Sequence, residues 1–145
     1  MKGKIVAVSI SEKRGTKKEN VESALLIKDR GVKGDAHAGS EKRQISLLAF
    51  ESINKMQSKS MKLNPGDFAE NITTLGINLT ELPLGSKLKM GKEAIIEITQ
   101  KGKLCHNQCS IYYSAGYCIM PKEGVFAKIV QGGFIKPNDI IKVEN

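Results

Sequence analysis

The sequence has no tryptophan, and only 5% of its 145 residues are aromatic. Its core must therefore be mainly aliphatic. The sequence also has few aromatic residues for a nucleic-acid-binding surface that stacks several bases on aromatic rings. No apolar run reaches the roughly 18 residues that a membrane-spanning helix needs. Lys2 and Lys4 interrupt the first ten residues, which hold no apolar run long enough for a signal peptide. We therefore expect a cytoplasmic protein.

Cysteine is also scarce, with three residues, and this odd number argues against a full disulfide framework. The length predicts one domain over residues 1–145, large enough to fold without disulfides or a metal. Lysine and arginine number 23 against 15 aspartates and glutamates, a formal net charge of +8. This balance favours anionic partners such as phosphate-bearing cofactors, although a solvated basic surface explains it equally well.

The apolar pattern predicts many short strands and two or three short helices. One helix is expected around Phe50, Ile53 and Met56. A second is expected to begin at Pro121 and to stop at Gly132 and Gly133. Its apolar face would carry Val125, Phe126, Ile129 and Val130. Strands are expected over 2–10, 24–28, 44–48 and 134–143, the last interrupted by a turn at 136–139, and a hairpin is expected over 86–99. The expected fold class is mainly β with a few short helices (α+β), a β-barrel-like or mixed β domain rather than a βαβ sandwich.

Residues 101–121 carry the densest chemistry, since they contain all three cysteines and one of the two histidines. Cys105 follows a predicted strand and turn, and His106 and nearby lysines favour its thiolate, the nucleophilic and metal-binding form. Three other interpretations stay open. Cys105 is a small buried hydrophobe, Cys109 pairs with Cys118, or the three cysteines and His106 bind zinc at an unusual spacing.

Two further segments contain candidate binding residues. Residues 31–44, GVKGDAHAGSEKRQ, form a glycine-rich loop with His37 and Arg43, and such loops bring backbone N–H groups close to a ligand. Arginine adds a planar fork for phosphate. Residues 65–76, PGDFAENITTLG, supply the donors and acceptors of Glu70, Asn71 and Thr73, which suit a polyfunctional heterocycle.

These segments, in this order, resemble the MOSC domain, the C-terminal domain of molybdenum cofactor sulfurases, which also occurs alone in bacteria. The similarity runs nearly end to end, through GVKGDAHAG, RQISLL, PGDFAENITTLG, IIEITQKGKLCH and GYCIMPKEGVFAKIVQGG. It implies a barrel-like sheet and a cysteine, here Cys105, that carries sulfur as a persulfide or ligates molybdenum. The residues that it implies for binding the cofactor are Arg14, Lys18, His37, Arg43, Gln44, Asn71 and Thr73.

The resemblance implies a molybdenum cofactor-binding or sulfur-carrier domain. An alternative is a small molybdenum-dependent reductase of N-hydroxylated compounds, and a further one is a zinc-stabilised interaction domain. The expected ligand is an anionic pterin, molybdopterin, and zinc is not expected. No pyridoxal phosphate site is expected, because the aminotransferase-like domain of the full sulfurases has no counterpart here. We expect a protein partner (a sulfur donor, electron donor or molybdoenzyme), no specific nucleic acid and no membrane.

Overall fold

Eleven short strands form most of the described structure. The computed structural model describes residues 1–14, 16–36, 38–39, 42–57, 62–102 and 120–144. Two short helices, α1 (Phe50–Lys55) and α2 (Met120–Glu123), and a 3-10 turn (Leu79–Glu81) accompany the strands. The strands are β1 (Lys2–Ile10), β2 (Glu19–Val21), β3 (Ala24–Ile27), β4 (Gly31–Val32), β5 (Ile45–Ala49), β6 (Ile72–Leu75), β7 (Lys87–Met90), β8 (Ala94–Lys101), β9 (Val125–Gln131), β10 (Gly133–Ile135) and β11 (Ile140–Glu144).

Seven strands close into a barrel in the order β11-β7-β8-β9-β5-β6-β1, and β1 pairs with β11 to complete the ring. Neighbouring strands in the ring are antiparallel except β5 and β6, which run parallel. Strand β2 extends the sheet from the end of β1, and β10, β3 and β4 form a separate small sheet. The predicted mainly-β class and barrel are confirmed, as is the hairpin, now β7 and β8.

The barrel interior is aliphatic, as the lack of aromatic residues predicted. Strand β9 shows the pattern, because Val125, Ala127 and Ile129 lie in the main core while Phe126 packs in a second cluster. The prediction of a helix through these residues was wrong. Helix α2 ends at Glu123, and apolar residues at every second position place β9 between β5 and β8.

A second apolar cluster joins the short helices to β5 and β9. Leu48 and Phe126 come from the strands, Ile53 from α1 and Met120 from α2. The helix predicted around Phe50 and Ile53 is confirmed, and it buries Ile53 completely. The loop before β6 completes this cluster with Leu63, Phe68 and Ala69. No helix in the described ranges is long and apolar enough to cross a membrane.

Two adjacent threonines on β6 have opposite hydrogen-bonding states. The Thr73 hydroxyl donates to Glu70 Oε2 at 2.9 Å. Thr74 is in register with Ala49 on one side and Ile5 on the other, so it shares their face, and its buried Oγ1 has no partner among the described residues. Thr74 therefore bears the cost of a buried unsatisfied hydroxyl.

Replacing Thr74 with valine is expected to raise the free energy of unfolding by about 1 kcal/mol, because the nearly isosteric change removes that hydroxyl. Thr73→Val is the matched control, and it is expected to lose about 1–3 kcal/mol because it deletes a donor to a buried carboxyl. Urea denaturation measures both variants. Equal losses in the two variants would contradict the assignment of an unpaired hydroxyl to Thr74.

Candidate functional site

Three loops that carry predicted site residues are joined by buried polar contacts. The loop between β1 and β2 meets the glycine-rich segment after β4 and the loop before β6. Ser11 O accepts from Ala36 N at 2.9 Å, and the backbone N–H of Lys18 donates to Gly66 O at 2.8 Å. Gly66 has φ +95°, and a Cβ there would collide with Lys18 O. The junction therefore favours glycine at position 66.

A fully buried ion pair lies at the centre of this junction. Lys18 Nζ is 2.7 Å from Asp35 Oδ1, and both side chains have no solvent exposure. Ser11 adds two contacts, since its backbone N–H donates to Asp35 Oδ1 and its Oγ accepts from Lys18 Nζ, each at 3.0 Å. The two predicted cofactor-binding residues of the basic loop therefore differ in solvent exposure. Lys18 is buried, whereas Arg14 is exposed.

Arg14 connects the same two loops at the surface. Its Nε donates to the carbonyl oxygen of Ala36 at 3.3 Å. Beside this loop runs an open groove of about 710 Å³, whose charged walls are Lys13 and Lys17 together with the acidic Glu12 and Glu19. This volume lies in the range of small-molecule sites.

Glu70 is a buried carboxyl in the loop before β6. Its Oε2 accepts from the Gly66 N–H at 3.0 Å and from the Thr73 hydroxyl at 2.9 Å, while Oε1 accepts from the Phe68 N–H at 3.2 Å. Burial raises its pKa to about 7, although these donors act in the opposite direction. Thr73, predicted to contact a cofactor, directs its hydroxyl to this carboxyl.

Asn71 ties three neighbouring strands of the barrel together and is fully buried. Its Nδ2 donates to Ser9 O on β1 at 3.1 Å. Its Oδ1 accepts from the backbone N–H of Ser46 on β5 at 3.0 Å. Ser46 Oγ in turn accepts from the Asn71 N–H at 3.0 Å. Neither serine was singled out from the sequence, because no local pattern marks a serine that bridges strands.

Gln44 and Arg43 are neighbours with different environments. Gln44 is buried, and its Oε1 accepts from the Ile129 N–H of β9 at 2.9 Å. Arg43 is exposed, and its guanidinium carbon lies 5.8 Å from the centre of the Phe126 ring, within cation–π range. Lys42, the residue before Arg43, is held by Thr99 on β8, whose hydroxyl donates to Lys42 O. The same hydroxyl also contacts Phe126 O at 3.2 Å.

The described residues on either side of the cysteine-rich segment are linked by backbone hydrogen bonds. Residues 103–119, with Cys105, His106, Cys109 and Cys118, lie outside the described residues, as does His37. Gly102 precedes the segment, and its N–H donates to Gly124 O at 2.7 Å, while Gly124 N–H donates to Met120 O at 3.0 Å. Within the described ranges, no group of three or more His, Cys, Asp or Glu residues can hold a metal ion.

The closed barrel and the loops packed against it define a small MOSC-type β-barrel. A family model of the MOSC domain matches residues 34–142, well over half of the chain. The chain therefore belongs to the MOSC domain family, which is associated with binding of the molybdenum cofactor. No curated protein matches the chain.

Several solved structures share this fold. The YuaD protein from Bacillus subtilis aligns with a TM-score of 0.82 over 99% of this chain and 96% of its own, at 18% identity. YiiM from Geobacillus stearothermophilus gives 0.78 over 99% and 75%, at 19% identity. YiiM from Escherichia coli gives 0.73 over 100% and 70%, at 16% identity. At these identities, the similarity shows the fold alone.

Proposed function

We propose that this chain binds the molybdenum cofactor and uses the Cys105 thiolate as a persulfide carrier or as a ligand to molybdenum. The observation that supports this most strongly is the hydrogen bond between Gly102 and Gly124, two residues before Phe126. Cys105 is three residues beyond Gly102, and three residues span at most about 11 Å. This short separation along the chain supports the proposal that Cys105 acts at the edge of the barrel where Arg43 stacks on Phe126.

The residues at this edge suit an anionic pterin. The planar guanidinium of Arg43 can pair with a phosphate or a ring oxygen through two parallel hydrogen bonds. Its packing against Phe126 reduces the freedom that binding would remove. Arg14, whose Nε donates to Ala36 O, offers a second exposed guanidinium on the loop between β1 and β2. When bound, the cofactor supplies a soft molybdenum centre, for which a thiolate is a suitable ligand.

The buried members of the predicted site act by holding the loops. Asn71 fixes β1 and β5 beside β6, Gln44 fixes the start of β5 on β9, and Thr73 directs its hydroxyl to Glu70. Lys18 joins two of the loops through Asp35. Their polar atoms make these contacts inside the fold, so we assign them positioning rather than contact with the ligand.

As a sulfur carrier, Cys105 needs no external oxidant. Its thiolate attacks the outer sulfur of a donor persulfide, the sulfur–sulfur bond of the donor breaks, and the donor thiolate leaves. Mass spectrometry then detects one added sulfur atom on the peptide that contains Cys105. A purified protein that binds the cofactor but never gains sulfur would assign Cys105 to molybdenum ligation instead.

Arg43→Ala is expected to weaken cofactor binding by about ten- to a hundredfold, because it removes a charge-assisted contact of about 1.5–3 kcal/mol. Titration of the molybdenum cofactor into anaerobically purified protein measures this change. Arg30→Ala is the matched control, since Arg30 is also exposed but lies in the turn between β3 and β4.

Two results separate the parts of the proposal. Equal affinities for the two arginine variants would remove the role of Arg43 but leave the cofactor proposal in place. A folded wild-type protein that does not bind the cofactor at all would refute the proposed function itself.

A further inference from the structure

Three lysines form a row across adjacent strands on the outside of the barrel. Lys142 on β11 is directly opposite Lys2 on β1 and Lys89 on β7. Lys2 and Lys142 are exposed and Lys89 is half-buried, and none of the three has an ion-pair partner among the described residues. Residues directly opposite each other share a face, and like charges in such positions are destabilising.

A nearby row on the same face is arranged differently. Glu144 lies opposite Lys87, Lys87 lies opposite Glu97, and Glu97 lies opposite Lys128, so the charges alternate in sign across four strands. Lys128 Nζ is 3.6 Å from Glu97 Oε2. This second row is balanced within the protein. The row of three lysines contains no opposite charge, so an anionic partner would bind there without displacing an internal ion pair.

An exposed apolar residue borders the lysine row. Ile140 on β11 is 51% exposed and lies opposite Lys4, two residues along the strand from Lys142. The surface therefore combines four lysines, one isoleucine and the carboxylate of Glu144. Mixed polar and apolar composition of this kind suits a folded partner with its own pattern of charges.

This face lies on the opposite side of the barrel from Arg43 and Phe126. Around the closed ring, β11 is three strands away from β9 in one direction and three strands away from β5 in the other. A partner bound over β11 therefore leaves the edge proposed for the cofactor open.

We propose that the face formed by Lys2, Lys4, Lys89, Lys142 and Ile140 docks an acidic protein. A partner with carboxylates around an apolar side chain would neutralise the lysine row and cover Ile140. Nucleic acid fits less well, because the face offers no aromatic ring for base stacking and places Glu144 and Glu97 near the lysines. The same carboxylates disfavour a uniformly anionic membrane surface. This proposal does not depend on the proposed cofactor site.

The test uses a double variant that is expected to remain folded. Lys2→Glu with Lys89→Glu turns the row into Glu–Lys–Glu, which matches the alternating row and removes like-charge repulsion. We expect its midpoint of urea denaturation to equal or exceed that of the wild type. Lys28→Glu with Lys62→Glu changes the net charge equally at exposed positions elsewhere, and serves as the control.

The probes are a peptide of repeated Glu-Glu-Leu triplets, a poly-glutamate of equal charge, single-stranded DNA of equal charge and vesicles containing phosphatidylserine. At low ionic strength, we expect the wild type to bind the triplet peptide most tightly. The Lys2/Lys89 variant should lose at least about tenfold in affinity, and the control variant less than about threefold. Ile140→Ser should weaken binding of the triplet peptide but not of poly-glutamate.

Several results would overturn the proposal. Equal losses of affinity in the two double variants would show that binding depends only on the net charge of the protein. Tighter binding of DNA or vesicles through the same lysines would assign the face to those partners. The absence of peptide binding would show that the lysine row is not a docking surface. A lower denaturation midpoint in the Lys2/Lys89 variant would show that the row is not a source of repulsion.

Discussion

Replacing Lys18 with methionine is expected to lower the free energy of unfolding by about 3–5 kcal/mol. The variant leaves the Asp35 carboxylate buried without the ammonium group that now lies 2.7 Å away. Two buried opposite charges compensate each other's loss of hydration, whereas a single one does not. Because the pair joins the first two loops, this loss should also loosen the glycine-rich segment. Urea denaturation with circular dichroism measures the change.

Two further variants test whether the buried charge is the cause. Lys17→Met removes a neighbouring but exposed lysine, and it should change stability by less than about 0.5 kcal/mol. Lys18→Met combined with Asp35→Leu removes both charges, and it should recover much of the loss. A loss below about 1 kcal/mol for Lys18→Met would instead be typical of a solvent-screened surface pair.

Glu70→Gln is expected to change how stability depends on pH. The pKa of Glu70 is raised from 4.5 to about 7 in the folded protein, so folding favours the neutral carboxyl. The stabilisation from this group is complete below pH 4.5, the unfolded value, and is lost as the pH rises through about 7. A shift of this size corresponds to roughly 3 kcal/mol. Glutamine imitates the neutral form at every pH.

The measurement compares wild type and Glu70→Gln by urea denaturation between about pH 5 and pH 8. The stability difference between the two should shift by roughly 3 kcal/mol in favour of the variant over this range. Both histidines are present in both proteins, so their titration cancels in the difference. A difference that stays constant with pH would show that Glu70 ionises at its ordinary pKa.

The strands of the barrel could be predicted from the sequence because their apolar residues alternate. The turn at Gly91 and Lys92 also marked the hairpin correctly. Residues 125–131 were predicted incorrectly, since Val125 and Ile129 fit both a helical and a strand period. Ala127 and the pairing with β5 and β8 decide for the strand. Tertiary pairing of this kind overrides a local pattern.

The candidate site was only partly predictable. The motifs around Arg43 and Asn71 indicated the correct family. However, Lys18 and Asp35 lie 17 residues apart in the sequence, and no local pattern pairs them. The bridging serines are equally unmarked, because their role depends on which strands become neighbours. The roles of Cys105 and His37 stay predictions, since both residues lie outside the described ranges.

The measurement that tests the central claim most directly is a titration of the molybdenum cofactor against wild type and Cys105→Ser, both purified anaerobically. We predict tight binding by the wild type, lost or altered binding by the variant, and the same denaturation midpoint for both. No binding by a folded wild type would contradict the account, whereas equal binding by the two proteins would exclude Cys105 as a molybdenum ligand. Global unfolding of Cys105→Ser would assign the cysteine a structural role, such as zinc binding, instead.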